Sequence, residues 1–393
     1  MTSSESGPES GPTGVSARAL GPDLARGFML LFIALANPHY FLQSRSVLGG
    51  FPQDGSGLDR VVTWLIATFV DGRAFPLFGL LFGYGVARIA ARQTEAGRSW
   101  RSTRLLLWRR SLFLVVLGFA DAMLFYIGDI LGAYGVLLFI GVWALRWKDR
   151  TILLVALFFY LLSWLPSADS MAISADAPDR SMLSPDLFTG FAERVVVHPF
   201  IALLGPIGFA CPFLVGVWAG RRRILEQPQK HLALLRWTAI VGVGAAVAGA
   251  QPASLMLARV ISKPSTDTLE LIGPLHDATG VLGGFGYAAL IVLIARRLSA
   301  GPGPITLAVA AVGQRSLTCY LFQSIVWAVA FTPYLGGLAD DLTVTTTALL
   351  ATATWLTTVL MADWMRRTGR RGPLEVLIRR FTYRTSSASI SAV

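Results

Sequence analysis

Of the 393 residues, 54% are hydrophobic and 15% charged, and the mean hydropathy is +0.58. A soluble fold of that length would lack polar surface, so the chain reads as one membrane-embedded domain. The net charge of +11 does not indicate nucleic acid. The arginines border apolar runs without an aromatic-basic reading surface, which points to the bilayer and its anionic headgroups as partners. Cys211 and Cys319 both lie inside apolar runs, so no disulfide framework is implied.

Residues 1–18, rich in Ser, Gly, Pro and Glu, read as a disordered cytoplasmic tail without the layout of a cleaved signal. Ten apolar runs follow, at about 24–42, 61–87, 105–127, 130–147, 151–166, 199–219, 237–259, 276–295, 306–331 and 343–364. Each comes close to the roughly 20 residues that cross a bilayer core of about 30 Å. Most of the 34 Lys and Arg fall in the gaps at 88–110, 146–150, 220–236 and 296–297 and after Asp363. Few fall in the alternate gaps, which places both termini in the cytoplasm by the positive-inside rule.

The expectation is an all-α polytopic bundle of about ten spans. Its transmembrane domain covers 19–365, with an external loop at 167–198 that contains a short amphipathic piece from Asp186 to Val196. A basic cytoplasmic tail covers 366–393. Arg outnumbers Lys 31 to 3, as in a GC-rich bacterial genome, which points to a multi-pass protein of the bacterial inner (plasma) membrane. The pairs Gly79/Gly83 and Gly280/Gly284 are small-residue positions where helix backbones approach closely. They carry no chemistry, and self-association is left open.

An ionisable group inside a span costs about 2.5–3.5 kcal/mol on insertion scales, so it needs a cavity or a partner. The first span carries Asp23, Arg26 and Asn37, spaced to share one helical face. Asp23 and Arg26 read equally well as an ion pair at a helix end, and Asn37 as interhelical glue. In the second span Pro76 opposes the carbonyl of Gly72 and predicts a break there. Asp71 and Arg73 flank that break, as cavity-lining groups or as a structural salt bridge. His39, His198 and His276 fall near the external ends of spans, with His39 the most suggestive for proton transfer. Asp121 and Asp129 flank a short turn, where Asp129 also reads as a helix cap. Gln314, Arg315, Thr318 and Gln323 give the ninth span a polar side. No motif for a metal or for nucleotide hydrolysis appears.

Five segments in order, DLARGFMLLFIALAN, DGRAFPLFGLLFGYGVA, YIGDILGAYGVLLF, VGQRSLTCYLFQSIVW and GPLEVLIRRFTY, resemble the blocks of the YeiB-type (DUF418) family of bacterial membrane proteins. The resemblance runs from Leu20 to Tyr383. That family is similar to the transmembrane acyltransferase superfamily. The resemblance implies acyl transfer from acyl-CoA to a small-molecule or cell-envelope acceptor. His39, Asp71, Arg73 and Asn37 would then be catalytic. Asp23, Arg26, Asp121, Asp129, Arg315 and Gln323 would bind substrate, and Arg101, Arg104, Arg109 and Arg110 would meet the CoA phosphates. Asp23, Arg26 and Gly27 match the first-span signature. Many O-acyltransferases place a histidine where this chain has Asn37. The alternative is a proton-coupled transporter using the same residues, against which the lack of an internal repeat counts. A non-catalytic envelope or assembly factor is a third.

Overall fold

The computed structural model describes residues 19–167 and 170–383, and the expected N-terminal disorder at 1–18 lies outside them. The fold is all-α apart from a two-residue antiparallel ladder, Val47–Leu48 with Phe51–Pro52. At its centre is α1 (Leu20–Ala36), a helix with buried residues along most of its length. Around it pack α3 (Ala74–Glu95), α9 (Thr266–Leu298), α10 (Pro304–Gln314) and α12 (Val344–Arg367). Farther out, α7 (Leu187–Arg221) lies on α3, and α8 (Leu232–Leu257) lies on α9. Peripheral positions are taken by α2 (Gly57–Phe69), α4 (Trp100–Leu124), α5 (Leu131–Gly141) and α6 (Asp149–Leu162).

Local chemistry starts these helices. Ser56 and Asp59 form a reciprocal capping box on α2, with the Ser56 N–H donating to Asp59 Oδ2 at 2.9 Å, satisfying donors that a helix start leaves unpaired. Asp186 caps α7 through the Thr189 N–H at 2.9 Å. From that cap α7 runs 35 residues without a break, roughly 50 Å at 1.5 Å per residue. The amphipathic piece and the span expected at 199–219 are thus one helix, and the loop before it is correspondingly shorter.

The apolar side chains show where lipid belongs. Phe200, Leu203 and Ile207 on α7, Trp237 and Ile240 on α8, and Leu349, Leu356 and Leu360 on α12 are all exposed. A monomer in water would not tolerate such a band. Among the described residues six helices are long and apolar enough to cross a membrane, or seven if α10 and α11 (Ser316–Phe331), bent by 83°, count as one span. The expected count of about ten also included α4, α5 and α6. Arginines 101, 104, 109 and 110 break the apolar character of the continuous helix α4. Neither α5, with its short 3-10 extension to Arg146, nor the 14-residue α6 has the length of the six.

Small residues set the helix spacing, as the two glycine pairs anticipate. A Cβ at Gly83 would lie 2.1 Å from the Phe213 carbonyl oxygen on α7, and one at Gly284 would lie 2.6 Å from Pro76 Cβ. The 366–393 segment is ordered in its described part. There α12 ends at Arg367, and α13 (Pro373–Tyr383) folds back against α4 and α11.

Candidate functional site

Interruptions in the helices after α1 and α2 build a first polar centre. Asn37 ends α1, and Pro38 opens a 3-10 turn, Pro38–Phe41, that carries His39 into the core at 1% exposure. Its ring stacks on Phe51 at 4.0 Å between centroids, and Nε2 lies 3.6 Å from Asp71 Oδ2, beyond hydrogen-bond length. Between α2 and α3 the chain breaks at Val70–Arg73, with Gly72 at φ +72°, a conformation that only glycine adopts at little cost. Pro76 falls in the first turn of α3, where its missing N–H is harmless, so the break expected from Pro76 lies just ahead of it.

Arg73 is fully buried. Its Nη1 donates to the Asp71 carbonyl and to His276 Nε2 at 2.8 Å, and its Nη2 donates to the Ala246 carbonyl at 2.8 Å. A guanidinium only donates, so His276 Nε2 accepts, and the Ala67 carbonyl 3.0 Å from the same nitrogen is a contact without a proton. The imidazole proton then sits on Nδ1, 3.4 Å from Asp277 Oδ1, and Ser170 Oγ donates to Asp277 Oδ2 at 2.8 Å. This chain leads from buried Arg73 to Asp277, whose side chain is 35% exposed.

A second centre joins α4, the α4–α5 turn, α7 and α11. Ser324 Oγ donates to Asp121 Oδ2 at 2.9 Å, and Tyr320 Oη donates to Asp129 Oδ1 at 3.2 Å. The other Asp129 oxygen accepts the Gly132 N–H at 2.9 Å, so the capping role is real and leaves one oxygen for Tyr320. Buried His198 lies alongside, since a Cβ at Gly132 would be 3.1 Å from His198 Nε2 and 3.6 Å from Asp129 Oδ2. Buried Tyr126 connects the centres: it lies within electrostatic reach of Asp71, Asp121 and Asp129, and its ring is 5.5 Å from that of Phe41.

At the arginine-rich end the helices border a half-open cavity of about 720 Å³. From α1 and α3 come Asp23, Arg26, Arg88, Arg92 and Glu95. Arg110 comes from α4, Arg223 and Glu226 from the turn after α7, and Arg315 from the α10–α11 bend. Arg371, Glu375 and Arg379 come from α13 and the segment before it. Internal pairs brace this wall: Arg88 to Glu226 at 3.0 Å, Arg223 to Glu226 at 3.1 Å, and Arg26 to Asp23 at 3.4 Å. The Glu375 carboxylate accepts the Leu317 N–H at 2.8 Å, the Thr318 N–H at 3.2 Å and Thr318 Oγ1 at 2.6 Å. It thereby satisfies the positive end of α11 at the bend. Eight arginines against four carboxylates suit the cavity to a multiply charged anion.

A smaller space of about 50 Å³ shares Phe78, Phe82, Arg110 and Leu317 with this cavity and is lined also by Leu114, Leu131, Tyr134, Ser316 and Tyr320.

The residues singled out in the sequence therefore divide among three places. His39, Asp71 and Arg73 meet in the first centre. Asn37 caps α1, and among the described residues its side chain makes no hydrogen bond in that centre. Asp121 and Asp129 meet in the second, and Gln323 donates instead to the Leu30 carbonyl at 3.1 Å. Asp23, Arg26 and Arg315 line the cavity. Of the four arginines assigned to CoA, Arg110 does so as well. Arg104 lies over the rings of Trp108 and Trp143 at 4.7 and 4.9 Å, Arg101 is exposed, and Arg109 is not in the lining. Arg88, Arg92, Glu226 and Glu375 were not foreseen. The lone acid in the otherwise basic GPLEVLIRRFTY segment was the one available sign for Glu375.

Residues 219–385 match the family profile described as "Protein of unknown function (DUF418)". The chain is 25% identical to the "Uncharacterized protein YxaH" of Bacillus subtilis (strain 168), over 95% of its length and 96% of that protein. It is 29% identical to the "Uncharacterized protein YeiB" of Escherichia coli (strain K12), over 94% of its length and 97% of that protein. None of these matches carries the similarity to acyltransferases.

Proposed function

For this chain, which belongs to the DUF418 family, we propose a membrane-embedded acyltransferase that moves an acyl group from acyl-CoA to a small-molecule or cell-envelope acceptor. What supports the reading is the arginine-lined cavity of about 720 Å³ and the small, mainly apolar space that shares four of its wall residues. Planar guanidinium forks match phosphate oxygens, and CoA carries its phosphates at one end and the thioester at the other. With the phosphates among Arg88, Arg92 and Arg371, the thioester extends past Phe78 and Phe82 toward Tyr320.

The acceptor's hydroxyl or amine attacks the thioester carbon, the carbon–sulfur bond breaks, and CoA leaves as the thiolate. Asp129, held by Tyr320, takes the acceptor's proton and returns it to the thiolate. The His39–Asp71 pair, reached past Tyr126, serves as the reserve acceptor behind it. Arg73 fits a supporting part better than an oxyanion donor, because both Nη groups are already committed and Nε alone lacks a partner. Asn37 has no place in either network. The bacterial inner membrane, with the arginine-rich end cytoplasmic, is part of the same proposal.

The test is equilibrium binding of acetyl-CoA to purified protein, with Arg92→Glu and Arg371→Glu as variants. Wild type binds and slowly releases free CoA, and charge reversal weakens binding. Wild-type protein with no affinity for CoA thioesters overturns the reading. Transport is the second reading, favoured by the 83° break between α10 and α11, since broken helices line transporter sites. It predicts solute uptake without CoA binding.

A further inference from the structure

We propose that an anionic phospholipid seats its headgroup on a tryptophan and arginine cluster where the start of α4 meets the 3-10 turn Val142–Arg146, whatever the cavity binds. The Arg104 guanidinium lies over the Trp108 ring at 4.7 Å and over the Trp143 ring at 4.9 Å from their centroids. Arg146 lies over Trp100 at 5.7 Å, and the Trp100 and Trp143 rings are 6.1 Å apart, so two cations and three indoles form one patch. Stacking uses the faces of a guanidinium and leaves its in-plane N–H donors unspent. Among the described residues neither Arg104 nor Arg146 makes a hydrogen bond or an ion pair. Asp149, three residues after Arg146, is committed to Arg221 and Arg222 at 3.0 and 2.9 Å.

Beside these cations the surface is apolar. Leu105, Leu112 and Val116 are exposed on α4, at steps of seven and four residues that return to one side of the helix. Phe139 is exposed as well, and its ring lies 5.2 Å from that of Trp108. A free phosphate gains nothing from such a stripe. A phospholipid lays its acyl chains along it while the phosphodiester meets the guanidiniums, with the indoles at the level where tail gives way to headgroup. A zwitterionic headgroup brings a cation of its own against Arg104 and Arg146, whereas a net negative one neutralises them. The patch is fixed in shape before any lipid arrives. Trp108 Nε1 donates to the Phe139 carbonyl at 3.1 Å, and Arg221 donates to the Ala144 and Trp147 carbonyls at 2.9 and 2.8 Å.

The experiment offers full-length protein in detergent phosphatidylglycerol and phosphatidylcholine with identical acyl chains, and native mass spectrometry counts the lipid that stays bound. Wild type holds phosphatidylglycerol at least about tenfold more tightly, and reversing both cations in the double variant Arg104→Glu, Arg146→Glu removes that preference. Arg92→Glu, a change in the cavity, keeps it. Equal binding of the two lipids to wild type overturns the inference, as does a folded double variant with the preference intact. A preference lost in Arg92→Glu and kept in the double variant places the lipid in the cavity and overturns it too. If gel filtration shows the double variant to be misfolded, Trp143→Leu takes its place. That change removes one of the two rings on Arg104 and no charge, and should cost about threefold in phosphatidylglycerol affinity. An unchanged affinity there is equally fatal.

Discussion

Replacing Gly83 by Ala puts one methyl group into the α3–α7 interface where no space exists. The added carbon would lie 2.1 Å from the Phe213 carbonyl oxygen, and the reciprocal position is as tight, with a Cβ at Gly216 2.1 Å from the Leu80 oxygen. Carbon-to-oxygen contacts settle at about 3.3 Å or more, so the helices must part by about 1 Å. Both obstructing atoms are backbone, so no rotamer change relieves the clash. Overpacking of this kind costs about 1–3 kcal/mol, against about 1 kcal/mol regained from alanine's better helix propensity. The net expectation is a loss of up to about 2 kcal/mol. Cys211 and Cys319 are buried, so a thiol-reactive dye labels them only as the bundle opens, and heating in its presence reports the loss. The control is Gly244→Ala on α8, where an added Cβ meets nothing within 4 Å and the midpoint should hold or rise. A Gly83→Ala protein that melts at or above wild type would refute the reasoning that backbone contact sets this helix spacing.

Glu375→Ala removes three hydrogen bonds at the start of α11 and should cost about 1–2 kcal/mol. Limited proteolysis should then cut α13 from the bundle faster than in wild type, with Glu375→Gln in between. Asp59→Ala severs the α2 capping box and the bonds from Thr345 N and Oγ1 at 2.9 and 2.7 Å. It should lower stability by about 1–2 kcal/mol, and equal thermal midpoints would show that the tie between α2 and α12 carries no weight. Asp149, at the start of α6, is partly desolvated, but hydrogen bonds from Arg222 and Arg221 outweigh that and hold its carboxyl below the usual range. A lowered value means that its contribution is present above the ordinary carboxylate pKa and fades as pH falls through the folded one. Asp149→Asn should therefore weaken the protein slightly at neutral pH, by less than about 1 kcal/mol for a pair this exposed, and have no effect in strong acid. A constant difference across the pH series would count against the pairing.

The membrane character was legible because apolar side chains facing lipid leave long runs in the sequence. The break at Gly72 was legible because proline chemistry is local. The count of spans was less so. The apolar runs at 105–127 and 151–166 read as spans in the sequence, while arginines on α4 and the shortness of α6 keep these helices out of the six. His39 and Asp71 could be paired from two short segments, but His276 could not be placed on Arg73, because nothing local records that α9 crosses the α2–α3 break. The cavity was least visible of all. Its walls come from residues as far apart as Arg26 and Arg379, each of which reads alone as an ordinary basic residue beside a span.

The docking of α13 bears on how the protein is made. Residues 373–383 supply a side of the arginine-lined cavity and the carboxylate that quiets the start of α11, yet among the described residues they follow every helix long and apolar enough to cross a membrane. A growing chain can insert all of those helices while the cavity still lacks a wall, so the cavity is complete only once residues 373–383 have docked. A stop before Pro373 would leave a bundle seated in lipid with its basic end unsealed.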